Sequence, residues 1–536
     1  MKLRYSFNPM LPFRKVSQMP QRTTLDGKFA EAYRTERGAP RQALVCCNLR
    51  RCLHALSISP HAAAATLAVS FALAMTGCST PVLKSSVEVP GQYAASPAQQ
   101  TEPEIAWWEK YGDPVLSELV RRAARENRDV KMAAERVRAA RAGETISRSW
   151  LLPSIGASVA GVHYDTGYGS PANQAVPDAK AVAGGLNVSW EVDLSGRLRA
   201  GASAAAADAM AAEDNARGVR LLVMTDVASN YFTLVGALRQ LETVRAIAAA
   251  HDETLRLVTA RQRVGLATSF DIERAQTEAS RAHAAIPPLE TLAAVSRHRI
   301  AVLIGDQAFN AGGVVPWNGE VAVPAAQSGQ PATLLQRRPD LLALNAQLDA
   351  ANARRRQAKA EYFPRLFIGA LFGSQSVDLN GFDLGATRFT LASGLLAMPI
   401  FNWGRTRAIN DIAASGQSEA LLRYEDGIVR ALEDVENALV ALQDERQRAE
   451  SLQSAATAAK AALGRAQSLY NRGQIDLLPL LDAQRTRLTV QINSNDSNTQ
   501  LLLDSVQLYK ALGGGWQVFE PAGQPAAASA ATSPHS

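Results

Sequence analysis

Apolar positions along the chain follow two rhythms. In the first, Val223, Val227, Tyr231, Leu234, Leu238 and Leu241 are spaced by four and three residues, and Ile428, Leu432, Val435, Leu439 and Leu442 repeat the beat. That spacing keeps one stripe of a helix turned toward a partner. The run from Arg197 to about Arg263 predicts one helix of some 67 residues. At about 1.5 Å per residue it is roughly 100 Å long, far beyond an ordinary globular helix. Shorter helical patterns flank it. They cover Asn127 to Ser149, Arg-rich and without a deep core, and Ser269 to Ile304, bent at Pro287-Pro288. Stacked end to end, these two match the long helix in length.

The second rhythm has period two. Leu186, Val188, Trp190, Val192 and Leu194 alternate with Asn187, Ser189, Glu191 and Asp193, so Ala183 to Leu194 predicts a strand with one apolar and one polar face. Ser154 to Thr166 predicts its hairpin partner across a loop rich in Gly, Ser, Pro and Asn, and Arg365 to Ser376 with Thr387 to Phe401 predicts a second pair. A tilted strand needs about 9–11 residues to cross a bilayer, which each of these supplies. Four strands do not close a barrel, and an open edge is not tolerated in lipid, so several copies must share one barrel.

The two halves of the chain are copies. A separation of 208 residues relates Gly196 to Gly404, Asp226 to Asp434, Gly265 to Gly473, Gln276 to Gln484 and Gly305 to Gly513. Upstream it becomes 211, relating Asp129 to Asp340 and Pro153 to Pro364. The second copy therefore predicts helices over Arg338 to Ala360, from Arg405 onward, and over Leu478 to Ala511. At each tip a glycine, Gly265 or Gly473, ends the long helix in a left-handed conformation. Thr268 or Ser269 in one copy and Asp476 in the other are placed to accept the free N–H groups of the next helix. Asp113 before Pro114 marks a further helix start.

Charge and cysteine usage change the picture only through processing. The formal charge is +6, but residues 62–76 form an apolar run, preceded by Arg50 and Arg51, that is too short to span a bilayer and reads as an export signal. Without residues 1–77 the chain holds forty-five Lys and Arg against forty-seven Asp and Glu, a net charge of −2 that offers nothing to nucleic acid. Of four cysteines only Cys78 follows the cut, so no disulfide is expected. Met75-Thr76-Gly77-Cys78 resembles the lipobox of bacterial lipoproteins, which makes Cys78 the lipidated N-terminus. The plainer alternative is a cysteine that merely closes the apolar run. The leader is long for such a signal, and initiation nearer Val45 would shorten it.

The division that follows is a leader and signal peptide over 1–77, a lipidated tether rich in Pro, Ser and Gln over 78–103, and a first repeat over 104–305 with its β-hairpin at 154–194. An equatorial linker segment over 306–336 comes next, then a second repeat over 337–519 with its hairpin at 365–401, and a low-complexity tail, expected to be disordered, over 520–536.

The lipobox, W-W-E-K-Y-G-D-P-V-L from Trp107, N-R-D-V from Asn127, W-L-L-P-S-I from Trp150, R-R-P-D-L from Arg337 and the paired glycine tips before L-L-D-A-Q together resemble the outer-membrane factor family. These are TolC-like channel proteins, and the match is to their NodT-like and OprM-like lipoprotein branch, from Cys78 to about Phe519. The resemblance implies a mainly helical fold with membrane β-structure. Four transmembrane strands per chain join a trimeric barrel of the outer membrane, and a helical barrel projects into the periplasm. It implies a homotrimer, anchored by lipid, that meets a periplasmic adaptor (membrane fusion) protein and an inner-membrane pump of an RND efflux system. The expected function is passive conduction of drugs or other small toxic compounds to the exterior. A type I protein-secretion channel is the alternative within the class. A structural coiled-coil lipoprotein is the alternative outside it, which the amphipathic strands and duplicated tips oppose.

Nothing in the sequence points to an enzyme, cofactor or metal site. The histidines after the cut, His163, His251, His283, His298 and His535, are scattered, and Gly513-Gly514-Gly515 reads as a helix terminator rather than a phosphate cradle. The sharper signal is a difference between the copies. Leu478, Asp482 and Arg485 share one helix face past the second tip, where the first copy has Phe270, Arg274 and Thr277. By resemblance the three form the periplasmic aperture that keeps the resting channel shut. The alternative is a solvated ion pair between Asp482 and Arg485. Pro479 stands where some relatives carry a second aspartate. The tips themselves, Val264, Gly265, Leu266, Phe270 and Asp271 in one copy and Arg472, Gly473, Ile475, Asp476 and Leu477 in the other, are by resemblance the adaptor-docking sites. Exposed Leu266, Phe270, Ile475 and Leu477 would distinguish them from plain helix turns.

Overall fold

The computed structural model describes residues 80–95, 102, 104–165, 167, 178–306, 316, 322–325, 327–379 and 381–520. Cys78, the loop between the first two strands (166 and 168–177), residues 307–315, 317–321 and 326 of the equatorial segment, and the tail after Glu520 lie outside them.

Two helices of 67 residues organise everything else: α3 (Arg197–Arg263) and α7 (Arg405–Asn471). Before α3 come α1 (Pro114–Glu126), α2 (Arg128–Ser149) and the hairpin of β1 (Ser154–Tyr164) and β2 (Ala179–Val192), and after it come α4 (Ser269–Ala284) and α5 (Ile286–Leu303). The second copy repeats the plan with α6 (Pro339–Ala360), β3 (Arg365–Leu379), β4 (Phe382–Ala397), α7 and α8 (Leu477–Leu512). Helix limits agree with the periodicity to within a residue or two. The expected bend at Pro287-Pro288 is instead a break at Ala285, which places both prolines in the first turn of α5, where their missing N–H groups cost nothing.

All four strands form one antiparallel sheet in the order β1-β2-β3-β4. The expected apolar face is present in the register: Val188 lies opposite Ile155 and Ala370, and Leu186 opposite Ala157 and Phe372. The strands run further than the alternation predicted on one side and stop sooner on the other. β2 begins at Ala179 rather than Ala183, β3 reaches Leu379, and β4 spans Phe382–Ala397 rather than starting at Thr387 and ending at Phe401. Among the described residues β1 and β4 each leave one edge unpaired.

The seam residues are the core. Val227, Tyr231 and Leu234 of α3 and Val435, Leu439 and Leu442 of α7 are buried, with Leu238 and Leu432 partly so. One 18-residue window of α3 is apolar enough by length and composition to cross a bilayer, but most of it is buried inside the bundle. At mid-height Trp107, Trp108 and Tyr111 pack on Tyr231 and Phe232, and Trp107 stacks on Tyr509 at 5.3 Å. Asp113 ties this layer together. It caps α1 through Val115 N at 2.8 Å and Leu116 N at 3.0 Å, and accepts from the Tyr231 hydroxyl at 2.6 Å. Residues 80–95 run along α6 and α7: Leu83 N donates to Asn352 Oδ1 at 3.1 Å, Gln417 Nε2 to the Pro81 carbonyl at 3.0 Å, and Tyr93 is buried.

Short helices join end to end to match the long ones. Asn127 accepts from Asp129 N and Val130 N at the start of α2 and donates to the Leu303 carbonyl at the end of α5, at 2.9 Å. In the second copy the same junction is made by Arg338, which donates to the Ala511 carbonyl at 3.0 Å and to Asp340 and Asp434 at 2.8 and 3.0 Å. Gly305 and Gly513 close the incoming helices with φ of 75° and 72°, and a Cβ on Gly305 would lie 3.0 Å from the Glu126 carbonyl.

Buried polar side chains nearer the tips include Gln484, Thr254 and His251. Gln484 Nε2 donates to Thr254 Oγ1 at 2.8 Å, while His251 is 1% exposed with neither ring nitrogen partnered. Burial lowers the His251 pKa against the opposing pull of Glu278 and Asp252. The unfolded chain therefore takes up the proton first. The stabilisation from a neutral His251 is present above the ordinary histidine pKa of about 6.5 and is lost as pH falls below it. Two outcomes are expected. Asn127→Ala should lower unfolding stability by about 1–3 kcal/mol in a denaturant titration, since it removes a cap and strands the Leu303 carbonyl. His251→Leu should flatten the fall in thermal midpoint between pH 7 and pH 5 that the unaltered protein shows.

Candidate functional site

Both tips are built by the same backbone device. Gly265 N donates to the Gln262 carbonyl and Leu266 N to the Arg261 carbonyl, and Gly473 N and Gln474 N repeat the pattern on Tyr470 and Leu469, all four at 2.9 Å. This paired closure needs a left-handed residue, and the two glycines have φ of 77° and 71°. Nothing lies within 4 Å of where a Cβ would stand on either. Past the first turn Thr268 and Asp271 form a reciprocal capping box, whose hydrogen bonds from Thr268 lower the Asp271 pKa. Asp476 occupies the equivalent N-cap position, but its side chain makes no capping hydrogen bond, contrary to expectation.

The tips are tied to each other. The Arg261 guanidinium lies 4.2 Å from the centre of the Tyr470 ring and donates to the Tyr470 carbonyl at 3.1 Å, linking the ends of α3 and α7. Beneath it Val258, Ala275, Tyr470, Leu477, Leu480 and Leu481 form a small core. Leu477 was expected to be exposed. It is buried here because α8 turns it toward Val258 of α3, and Ile475 is half-buried against the same cluster. Val264, Leu266 and Phe270 are exposed as expected, at 61–76%, and Arg274 lies over the Phe270 ring. Gly265, Arg472, Gly473 and Asp476 are also at the surface.

Leu478, Asp482 and Arg485 are all exposed on one face of α8. Arg485 does not pair with Asp482 as the solvated-ion-pair alternative required. Its Nη2 donates across to Glu278 Oε1 of α4 at 2.6 Å, and this contact raises the Arg485 pKa first, with Asp482 contributing least. Glu278 is largely buried and has Arg281 3.7 Å away. This link was missed at the level of sequence. The 208-residue separation places Thr277 as the equivalent of Arg485, so a carboxylate at position 278 stands at the height of that guanidinium. Cys78 lies outside the described residues, and no group of three or more His, Cys, Asp or Glu able to hold a metal occurs among the described ones.

The tips thus offer exposed apolar side chains around bare glycine turns, next to an exposed face of α8 that carries Leu478, Asp482 and Arg485. The profile of the family described as "Outer membrane efflux protein" matches residues 119–306 and 331–514, one block in each repeat. The chain is 31% identical over 458 residues to the pyoverdine export outer membrane protein OpmQ of Pseudomonas putida, covering 84% of this chain and 97% of that one. It is 31% identical to the toluene efflux pump outer membrane protein TtgI of the same species, covering 77% and 88%. Among solved structures it superposes on the open state of the MtrE outer membrane channel of Neisseria gonorrhoeae with a TM-score of 0.72 at 25% identity, covering 82% and 98%. With both repeats matched and the relatives aligned over most of their length, this chain belongs to the outer membrane efflux protein family.

Proposed function

We propose that the protein works as a homotrimeric, passive outer-membrane channel in a tripartite efflux system, lipidated at Cys78 and engaged at its tips by a periplasmic adaptor below which an inner-membrane pump supplies the energy. The observation that carries this reading is a four-stranded sheet with two unpaired edges that continues directly into helices of 67 residues. In lipid those edges must be paired, and helices of that length reach about 100 Å from the membrane. Small toxic compounds are the substrate class. The relatives' names, pyoverdine in one and toluene in another, span chemistries too different for one selective pocket. A shared conduit with selection made elsewhere accounts for both.

The aperture is assigned to Leu478, Asp482 and Arg485. In a trimer each contributes a ring at the mouth, and the Arg485–Glu278 contact fixes the guanidinium by a bond from α8 to α4 that is broken when the two helices part. Docking is assigned to both tips, with Val264, Leu266 and Phe270 as the exposed apolar contacts and the bare glycine turns as the close approach. Leu477 is excluded from the contact set by its burial, and it supports the turn from beneath.

In planar bilayers the unaltered protein should give small or flickering currents, and Asp482→Ala with Arg485→Ala should raise conductance several-fold. Absence of current from verified insertions of both would reject the channel, and equal currents would reject this aperture. Gly473→Trp places a bulky group in open space at a backbone cost of about 1–2 kcal/mol. It should abolish export in a drug-susceptibility assay while trimers remain intact on native gels. Retained export would remove the docking role.

A further inference from the structure

Side by side, the sheet order and the helix order are the same. β1, β2, β3 and β4 follow one another across the sheet, and α2, α3, α6 and α7 pack in that sequence beside it, with α5 and α4 continuing the α2 flank toward the tip. Each protomer therefore ends in β4 and α7 on one side and in β1, α2 and α5 on the other. Closing a ring of copies brings the α7 flank of one against the α2 and α5 flank of the next.

Relative heights along these flanks follow from contacts within the protomer. Asn410 of α7 donates to the Ala358 carbonyl of α6 at 2.8 Å, and Arg338 reaches the Ala431 carbonyl at 3.5 Å, so the two helices run past each other in a fixed register. The separation of 211 residues carries that register to α2 and places Ile146 level with Ile412, and Met132 between Leu422 and Val429. On the lower half Arg487 of α8 reaches the Ala456 carbonyl at 3.4 Å, and the separation of 208 places Val295 of α5 within a helical turn of Val440. All seven side chains are 48–72% exposed in the protomer. Single exposed apolar residues are ordinary. Agreement of two flanks in height over three levels is what a lateral seam requires.

We propose that these residues form an apolar ladder between protomers, with Ile146 against Ile412, Met132 against Leu422 and Val429, and Val295 against Val440 of a second copy of this chain. The proposal rests on the trimer reading and goes beyond it, since it fixes which helix faces meet and in which vertical register. Cys78 is the single cysteine after residue 77, so paired cysteines can be introduced with little background. In the full chain with Cys46, Cys47 and Cys52 replaced by serine, Ile146→Cys with Ile412→Cys, treated with a mild oxidant, should move most of the monomer band into covalent dimer and trimer on denaturing gels. Ile146→Cys with Val440→Cys, at mismatched heights, should give no ladder. Native mass spectrometry of the same samples separates the failures. Trimers without cross-linking of the matched pair, or with equal cross-linking of the mismatched pair, would overturn the seam alone. Monomers would overturn the trimer reading and the seam with it.

Discussion

A helix of 67 residues is stable only if a partner covers its apolar stripe from end to end, and the rest of the structure answers that requirement. No single neighbour is long enough to do so. The solution is to set two short helices in line and join them at mid-height, where the carbonyls ending one helix and the amides starting the next would otherwise be left without partners. Asn127 meets both needs with one amide in the first copy. In the second copy the Arg338 guanidinium meets the carbonyl end at Ala511 and is itself held by Asp340 and Asp434, while α6 starts on Pro339, which has no N–H to satisfy. The aromatic layer of Trp107, Trp108 and Tyr111 surrounds this joint, so the densest core lies where the covering helices are interrupted.

Duplication explains why the architecture is economical and its departures are informative. Both copies keep the glycine turn, the long helix and the hairpin, because each is needed to bury a seam or pair a strand. The copies diverge at the joints and past the tips. One tip has a capping box and a cation resting on an aromatic ring, and the other has a leucine, a carboxylate and a guanidinium held by the first copy's Glu278. A contact between repeats thus does what neither repeat does within itself.

Most of the fold was legible in the sequence because the two rhythms are long. A 4-3 beat sustained over many turns leaves little freedom in helix limits, and the constant separation doubles each observation. The strand ends were not legible. Ala179-Lys180-Ala181 carries little strand preference and is held in β2 by pairing with Val377, Asp378 and Leu379 of β3. Of the site, the glycine turns and the exposed face of Leu478, Asp482 and Arg485 were visible as local patterns. The burial of Leu477, the idle side chain of Asp476 and the partner of Arg485 were not. Each depends on what a different helix presents at that height, which no local pattern encodes.

The segment over 80–95 also works as a strap. The Pro81 carbonyl is fastened to Gln417 of α7, the Leu83 amide to Asn352 of α6, and Ala94 N and Ala95 N to the Glu436 carboxylate of α7. Its two anchor points on α7 are nineteen residues apart, about 28 Å of helix. Any parting of α6 from α7 must therefore first peel this strap from both.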